Sequence, residues 1–219
     1  MAPETSFERA LFRWCVAALA AGVAVFVARV YVVWGPAGLS QLGSAVLLSF
    51  FVVGKFVIFA GLGEGVLPVW TLALLTFLVD LCCAFAMAAG LAGLEKTPVL
   101  GGWLLRARRR ALEVLQEYPG LRRMAFFGVV AFVLIPLAGT GAITGSFVAR
   151  ILGLSRLSGV AAIALASGWS ALAFGLMAHF LGAQAKVILQ SPVLAGASVI
   201  LFVGVAWVLY SRFLKRLKG

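Results

Sequence analysis

Residues 126–153 read FFGVVAFVLIPLAGTGAITGSFVARILG. This stretch restricts the fold more than any other: an apolar helix stops at Pro136, passes through Gly139-Thr140-Gly141 and Gly145, and resumes as a helix carrying Arg150. A proline and several glycines at membrane depth expose backbone N–H and C=O groups that lipid cannot satisfy. Such breaks are tolerated where protein or a water-filled cavity covers them. The stretch therefore reads as a re-entrant hairpin, residues 124–154, and as half of a binding site.

The premise of membrane depth rests on composition. Of the 219 residues 63% are hydrophobic and 11% are charged, against about 25% charged in ordinary globular chains. The chain is thus an all-α polytopic membrane protein. The net charge of +11 does not point to nucleic acid, because the cations are clustered beside apolar runs. Seven of the 18 lie in one linker, Lys96, Arg106, Arg108, Arg109, Arg110, Arg122 and Arg123, and four close the chain at Arg212, Lys215, Arg216 and Lys218. Clusters of this kind mark cytoplasmic loops and contact anionic lipid headgroups. Arg106, Arg108, Arg109 and Arg110 are the candidate headgroup contacts.

Seven apolar segments follow one another: Phe12–Trp34, Leu39–Leu62, Val66–Leu94, Met124–Ala138, Ala142–Leu154, Leu157–Gly182 and Val193–Tyr210. About 20 residues are needed to span, so the fourth and fifth are too short to do so alone. The second is long enough, and topology has to decide it. With Arg9 and Arg13 inside, a spanning Leu39–Leu62 would deliver the basic linker to the outside. A re-entrant segment at 39–65 keeps both basic clusters and both termini cytoplasmic. The expectation is four spans and two opposed hairpins: a first half 1–94, a basic linker 95–123 that is either an amphipathic interfacial helix or a plain connector, and a second half 124–219. The competing arrangement has the N-terminus outside, a spanning second segment and one hairpin. The apolar run after Arg13 is too long for a signal-peptide core, so the first helix is read as uncleaved.

An ungapped shift of 76 residues aligns Phe50-Phe51 with Phe126-Phe127, Phe56-Val57 with Phe132-Val133 and Gly63-Glu64-Gly65 with Gly139-Thr140-Gly141. In the expected topology the two copies enter from opposite faces and form an inverted repeat, with broken segments meeting near the midplane. The tips are placed at the two Gly-x-Gly elements, with Lys55 on the entering arm of the first.

No enzyme constellation, cofactor motif or metal spacing is present, and catalysis is not expected. Cys15, Cys82 and Cys83 read as small buried apolar residues and His179 as a packing histidine. The informative residues are charges at membrane depth. Each costs at least about 2.5–3.5 kcal/mol at a helix centre and should face a partner in the bundle interior. The candidate substrate-binding set is Lys55, Gly63, Glu64, Gly65, Asp80, Pro136, Gly139, Thr140, Gly141, Gly145 and Arg150. Within it Lys55 and Arg150 are anion contacts, and Glu64 and Asp80 are proton-accepting or cation-pairing groups. The purely structural alternative is a pair of salt bridges, Lys55–Asp80 and Glu64–Arg150, that fix the hairpins.

The run Ile135-Pro136-Leu137-Ala138-Gly139-Thr140-Gly141-Ala142-Ile143-Thr144-Gly145, with Ile151-Leu152-Gly153-Leu154 behind it, resembles the small multidrug export protein family of prokaryotic membrane proteins. Ala138 stands where the family pattern has a second proline. The pattern is more distantly similar to the DedA (VTT-domain) proteins, which implies two opposed re-entrant hairpins and, in some members, movement of lipid phosphates. The expected function is a transporter or lipid-phosphate translocase of the cytoplasmic membrane, possessing a midplane site and coupled to protons. Its expected partners are the bilayer, an anionic or amphipathic small molecule or lipid phosphate, and a second copy as a candidate homodimer. Export of small hydrophobic cations and a non-transporting scaffold that binds anionic lipid through the linker are the alternatives.

Overall fold

The computed structural model describes residues 6–51, 53–63, 65–94, 102, 106, 119–134 and 141–190. Helix α1 covers Ser6–Phe51 but is two limbs: Gly35 sits at φ 62, ψ −156, and Pro36 follows it. A left-handed φ is readily available only to glycine, and the proline ring removes a helix hydrogen bond, so the chain bends sharply there. A 3₁₀ segment, Gly54–Leu62, comes next. It is followed by α2 (Val69–Leu94), α3 (Pro119–Leu134), α4 (Gly141–Ile151) and α5 (Arg156–Gln190). The described residues contain no strand. Three helices are long and apolar enough to cross a membrane, α1, α2 over Val69–Leu91 and α5 over Arg156–Phe180. The expected last span, 193–210, lies outside the described residues, as does most of the basic linker.

Helix directions follow from side-chain contacts. Phe12, near the start of α1, meets Phe85, far along α2, with ring centroids 5.4 Å apart. Phe26 and Val30, later in the same limb, share a core with Leu72 and Leu75 near the start of α2. The first limb of α1 and α2 are therefore antiparallel. Helix α5 is antiparallel to α2 in turn: Ala84 shares a core with Val160 and Ile163, while at the other end Trp70 packs on Gly175. The 3₁₀ segment runs parallel to α5, since Lys55 reaches Ser167 and Ser170, Phe56 meets the ring of Phe174 at 5.2 Å, and Leu62 lies 3.8 Å from the position a Cβ would take on Gly182.

Between the first limb and α2 the chain turns back on itself. Leu67 N–H donates to Gln41 Oε1 at 2.8 Å, so both ends of residues 41–67 lie side by side. The reversal is at Val53 and Gly54, where Gly54 takes φ 57. This corrects the expected tip: Gly63 and Gly65 are exposed, Gly65 lies at the open end beside Gln41, and Lys55 is next to the reversal rather than on an entering arm. The second broken element also doubles back. A Cβ on Gly145 of α4 would lie 2.4 Å from Val133 Cγ2 of α3, although a continuous helix would hold positions 133 and 145 about 18 Å apart. In the 76-residue register Gly54 falls opposite Val130, inside α3, so the two reversals do not coincide in that alignment.

Candidate functional site

Four polar side chains from three elements meet inside the bundle. Lys55 Nζ lies 3.1 Å from Asp80 Oδ2. It also donates to Ser167 Oγ at 3.3 Å and to Ser170 Oγ. Ser167 Oγ donates to the same Asp80 Oδ2 at 2.7 Å, and Ser170 Oγ donates to the Ser167 carbonyl at 3.0 Å. An ammonium has three N–H donors and no acceptor, so Asp80, Ser167 and Ser170 together satisfy Lys55 completely. The Lys55 side chain is 9% exposed and the Asp80 side chain 22%.

Each element places its residue for a local reason. The 3₁₀ segment aims Lys55 inward because its neighbours Gly54, Val57 and Ile58 are buried with it. Asp80 falls midway between residues 69 and 91 of the α2 span, and Ser167 eleven residues into the 156–180 span of α5. The cluster therefore sits near the middle of both spans. Ser167 and Ser170 are three apart, which puts them on one face of α5, and both are buried. They were not among the sequence candidates. The signal available was two hydroxyls at i, i+3 spacing in a mostly apolar span.

The remaining candidates separate. Arg150 is 9% exposed and lines a narrow crevice with Ala84, Ala88, Ser146 and Gly159, apart from the Lys55 cluster. Gly141 opens α4 and is half-buried. Gly145 packs against Val133 and Ile163, which makes it a packing contact in this state instead of a source of open amides. Glu64, Pro136, Gly139, Thr140, Arg108, Arg109 and Arg110 lie outside the described residues. Arg106 is exposed, and its Nε donates to the Gly102 carbonyl at 3.1 Å.

Two packing expectations are corrected. Cys82 is exposed, and Cys15 and Cys83 are half-buried, because their helices turn these positions away from the bundle. His179 is exposed and lies between the rings of Trp70 and Phe180, at 6.0 and 5.6 Å. That is an aromatic cluster of the sort found near the edge of a bilayer. Among the described residues no group of three or more His, Cys, Asp or Glu is placed to hold a metal ion.

No curated protein and no solved structure matches the chain. A family model described as "Putative small multi-drug export protein" matches residues 54–173. The matched region begins at the reversal glycine, contains Lys55, Asp80, Ser167 and Ser170, and covers more than half of the 219 residues. A bundle of apolar spans with this match is a multi-pass membrane protein, and the chain belongs to the small multi-drug export protein family.

Proposed function

We propose that the protein is a membrane exporter of amphipathic cations in which cargo competes with Lys55 for Asp80. The arrangement of this pair carries the reading. Every donor of Lys55 is engaged, which leaves none for an anionic cargo unless the cluster opens. Asp80 is the more exposed partner, and both of its contacts in the cluster fall on Oδ2. An arriving cation can replace the ammonium, while Ser167 and Ser170 hold the displaced Lys55. Because Lys55 stays in the site, the charge balances when the displaced ammonium gives up one proton to water and rests on the two hydroxyls as a neutral amine. Two cations on one carboxylate would leave an uncompensated charge in a low-dielectric site, which is the costly alternative. Return of one proton to the Lys55 amine re-forms its pair with Asp80 and expels the cargo, which couples export of one cation to one proton.

In a bilayer, residues 41–67 are read as re-entrant. The antiparallel packing of α1 and α2 supports this, as does the Gln41–Leu67 contact at the open end. The arms are also short: eleven helical residues from Gln41 to Phe51 rise about 16 Å, and nine 3₁₀ residues rise about 18 Å. Each covers roughly half of a hydrocarbon core about 30 Å thick. Residues 119–155 form the opposed element, and α1 and α5 then begin on the same face. The basic residues there favour a cytoplasmic position for that face. This is the architecture that the DedA resemblance implies. Cysteines introduced at Ser40 and Val66 in a cysteine-free background should label from one face only. Labelling from opposite faces would sink the re-entrant reading.

The transport test uses purified protein in liposomes loaded with a fluorescent lipophilic cation under an imposed pH gradient. Asp80→Asn and the double change Lys55→Met with Asp80→Asn should both abolish efflux. The double variant should keep the wild-type melting temperature, since a buried ion pair replaced by neutral groups of similar shape is often neutral in stability. Efflux at the wild-type rate in a folded double variant would leave the pair as a structural staple and overturn the proposal. A second reading, translocation of a lipid phosphate, is favoured by the buried Arg150 on α4. It requires Arg150→Ala, and not Asp80→Asn, to stop movement of a labelled lipid phosphate.

A further inference from the structure

Away from the midplane, the starts of α1 and α5 enclose a cavity of about 180 Å³ lined by Glu8, Arg9, Phe12, Arg13, Ser155 and Arg156, among others. Among the described lining residues are three guanidinium groups and one carboxylate, an excess of two positive charges. We propose that this cavity is a binding site for a phosphate monoester, carried either by a lipid headgroup or by a free anion.

Charge, geometry and place each support it. A phosphate monoester carries about −1.5 to −2 charges at pH 7 and three acceptor oxygens, close to the excess of the lining. Guanidinium forks bind such oxygens in bidentate pairs, and Arg9, Arg13 and Arg156 approach from two separate helices, so they can surround the group. The volume equals that of about six liquid waters at about 30 Å³ each, enough for one phosphate group and residual solvent. Ser155 precedes α5, and its Oγ accepts from the Ser158 N–H at 3.2 Å. The positive end of a 35-residue helix therefore faces the same space and adds to the attraction. The cavity lies at the end of the bundle where Phe12 meets Phe85, opposite the Gln41–Leu67 end, and hence at the level of the headgroups. Arg9 and Arg13 also lie outside the region that matches the family, residues 54–173, so the site joins a family element to a helix beyond it.

The test measures binding to the full chain in neutral detergent by native mass spectrometry and by shift of the melting temperature. The probes are dioleoyl phosphatidate, dioleoyl phosphatidylglycerol, dioleoyl phosphatidylcholine and inorganic phosphate. Phosphatidate should bind at least tenfold more tightly than phosphatidylglycerol, whose diester phosphate carries a single charge. Arg13→Gln and Arg156→Gln should each weaken phosphatidate at least tenfold, and Arg29→Gln, a change beside Phe26 and Trp70 at the other end of the bundle, should leave it unchanged. Glu8→Gln should tighten it several-fold, a result that does not depend on an arginine variant folding well. Competition by millimolar inorganic phosphate would assign the site to the free anion, and its absence to the lipid headgroup. Equal affinity for phosphatidate and phosphatidylglycerol, or no change in Glu8→Gln, would overturn the proposal.

Discussion

The two broken elements solve the same backbone problem by different means. Residues 41–67 reverse at Gly54, continue as a 3₁₀ segment, and place a lysine beside the reversal. That lysine is held by a carboxylate and two hydroxyls from other elements. Residues 119–151 keep both arms α-helical and close them by direct packing, Gly145 against Val133. One element spends its tertiary contacts on a buried polar cluster and the other on an apolar seam. An element that only needs to be stable can be closed by packing alone. A buried charge carries an energetic penalty that the seam avoids, and this difference is why the first element is assigned the transport chemistry.

That contrast can be broken by mutation, with effects graded by how much is left unsatisfied. The largest is expected from Lys55→Met or Asp80→Ala alone. Each strands a charge at mid-span and should cost about 3–5 kcal/mol, read as a loss of melting temperature in detergent. The double Lys55→Met, Asp80→Asn should recover most of it. If the single and double variants lose equal stability, the cluster is ordinary packing and the contrast fails. Gly145→Ala comes next. Its Cβ would press on Val133, a short branched side chain with little freedom, and overpacking of this kind costs about 1–3 kcal/mol. Combining it with Val133→Ala should relieve the clash, and failure to do so would remove the seam from the account.

Gly54→Ala probes the first element at its reversal and should cost about 1–2 kcal/mol, the penalty for a side chain in the left-handed region. Ser170→Ala removes one acceptor from Lys55 and should cost a similar amount, about 1–2 kcal/mol. Unlike Gly54→Ala, it should also alter the pH dependence of efflux, because it changes how firmly the ammonium is held. The smallest effect belongs to Gln41→Leu, which leaves the Leu67 N–H without its acceptor. Leu67 is fully buried, but Gln41 lies at the partly exposed open end where water can substitute, so about 1 kcal/mol is expected. A loss as large as that of Asp80→Ala would shift the weight of the first element from its tip to its base.

Hydropathy and charge determined a good deal by themselves. The long apolar segments and the Pro/Gly break at 136–141 mark a membrane bundle with interrupted helices, and the cost of an unpaired charge in lipid marks Lys55 and Asp80 as residues that must find partners. The salt bridge between them was legible for that reason, since few opposite charges are available at that depth. Tertiary structure alone decided the rest. Where the first element reverses is set by the left-handed backbone at Gly54, while Gly63 and Gly65 offered equally good glycines to a reader of the sequence. Ser167 and Ser170 are ordinary residues of an apolar helix until antiparallel packing of α2 and α5 sets them opposite Asp80. Arg9, Arg13 and Arg156 are more than 140 positions apart at the extremes, and in sequence they are merely cations flanking spans. Only the shared face on which α1 and α5 begin brings them around one cavity. Periodicity and charge report what each segment needs, and the packing of one helix on another determines which segment supplies it.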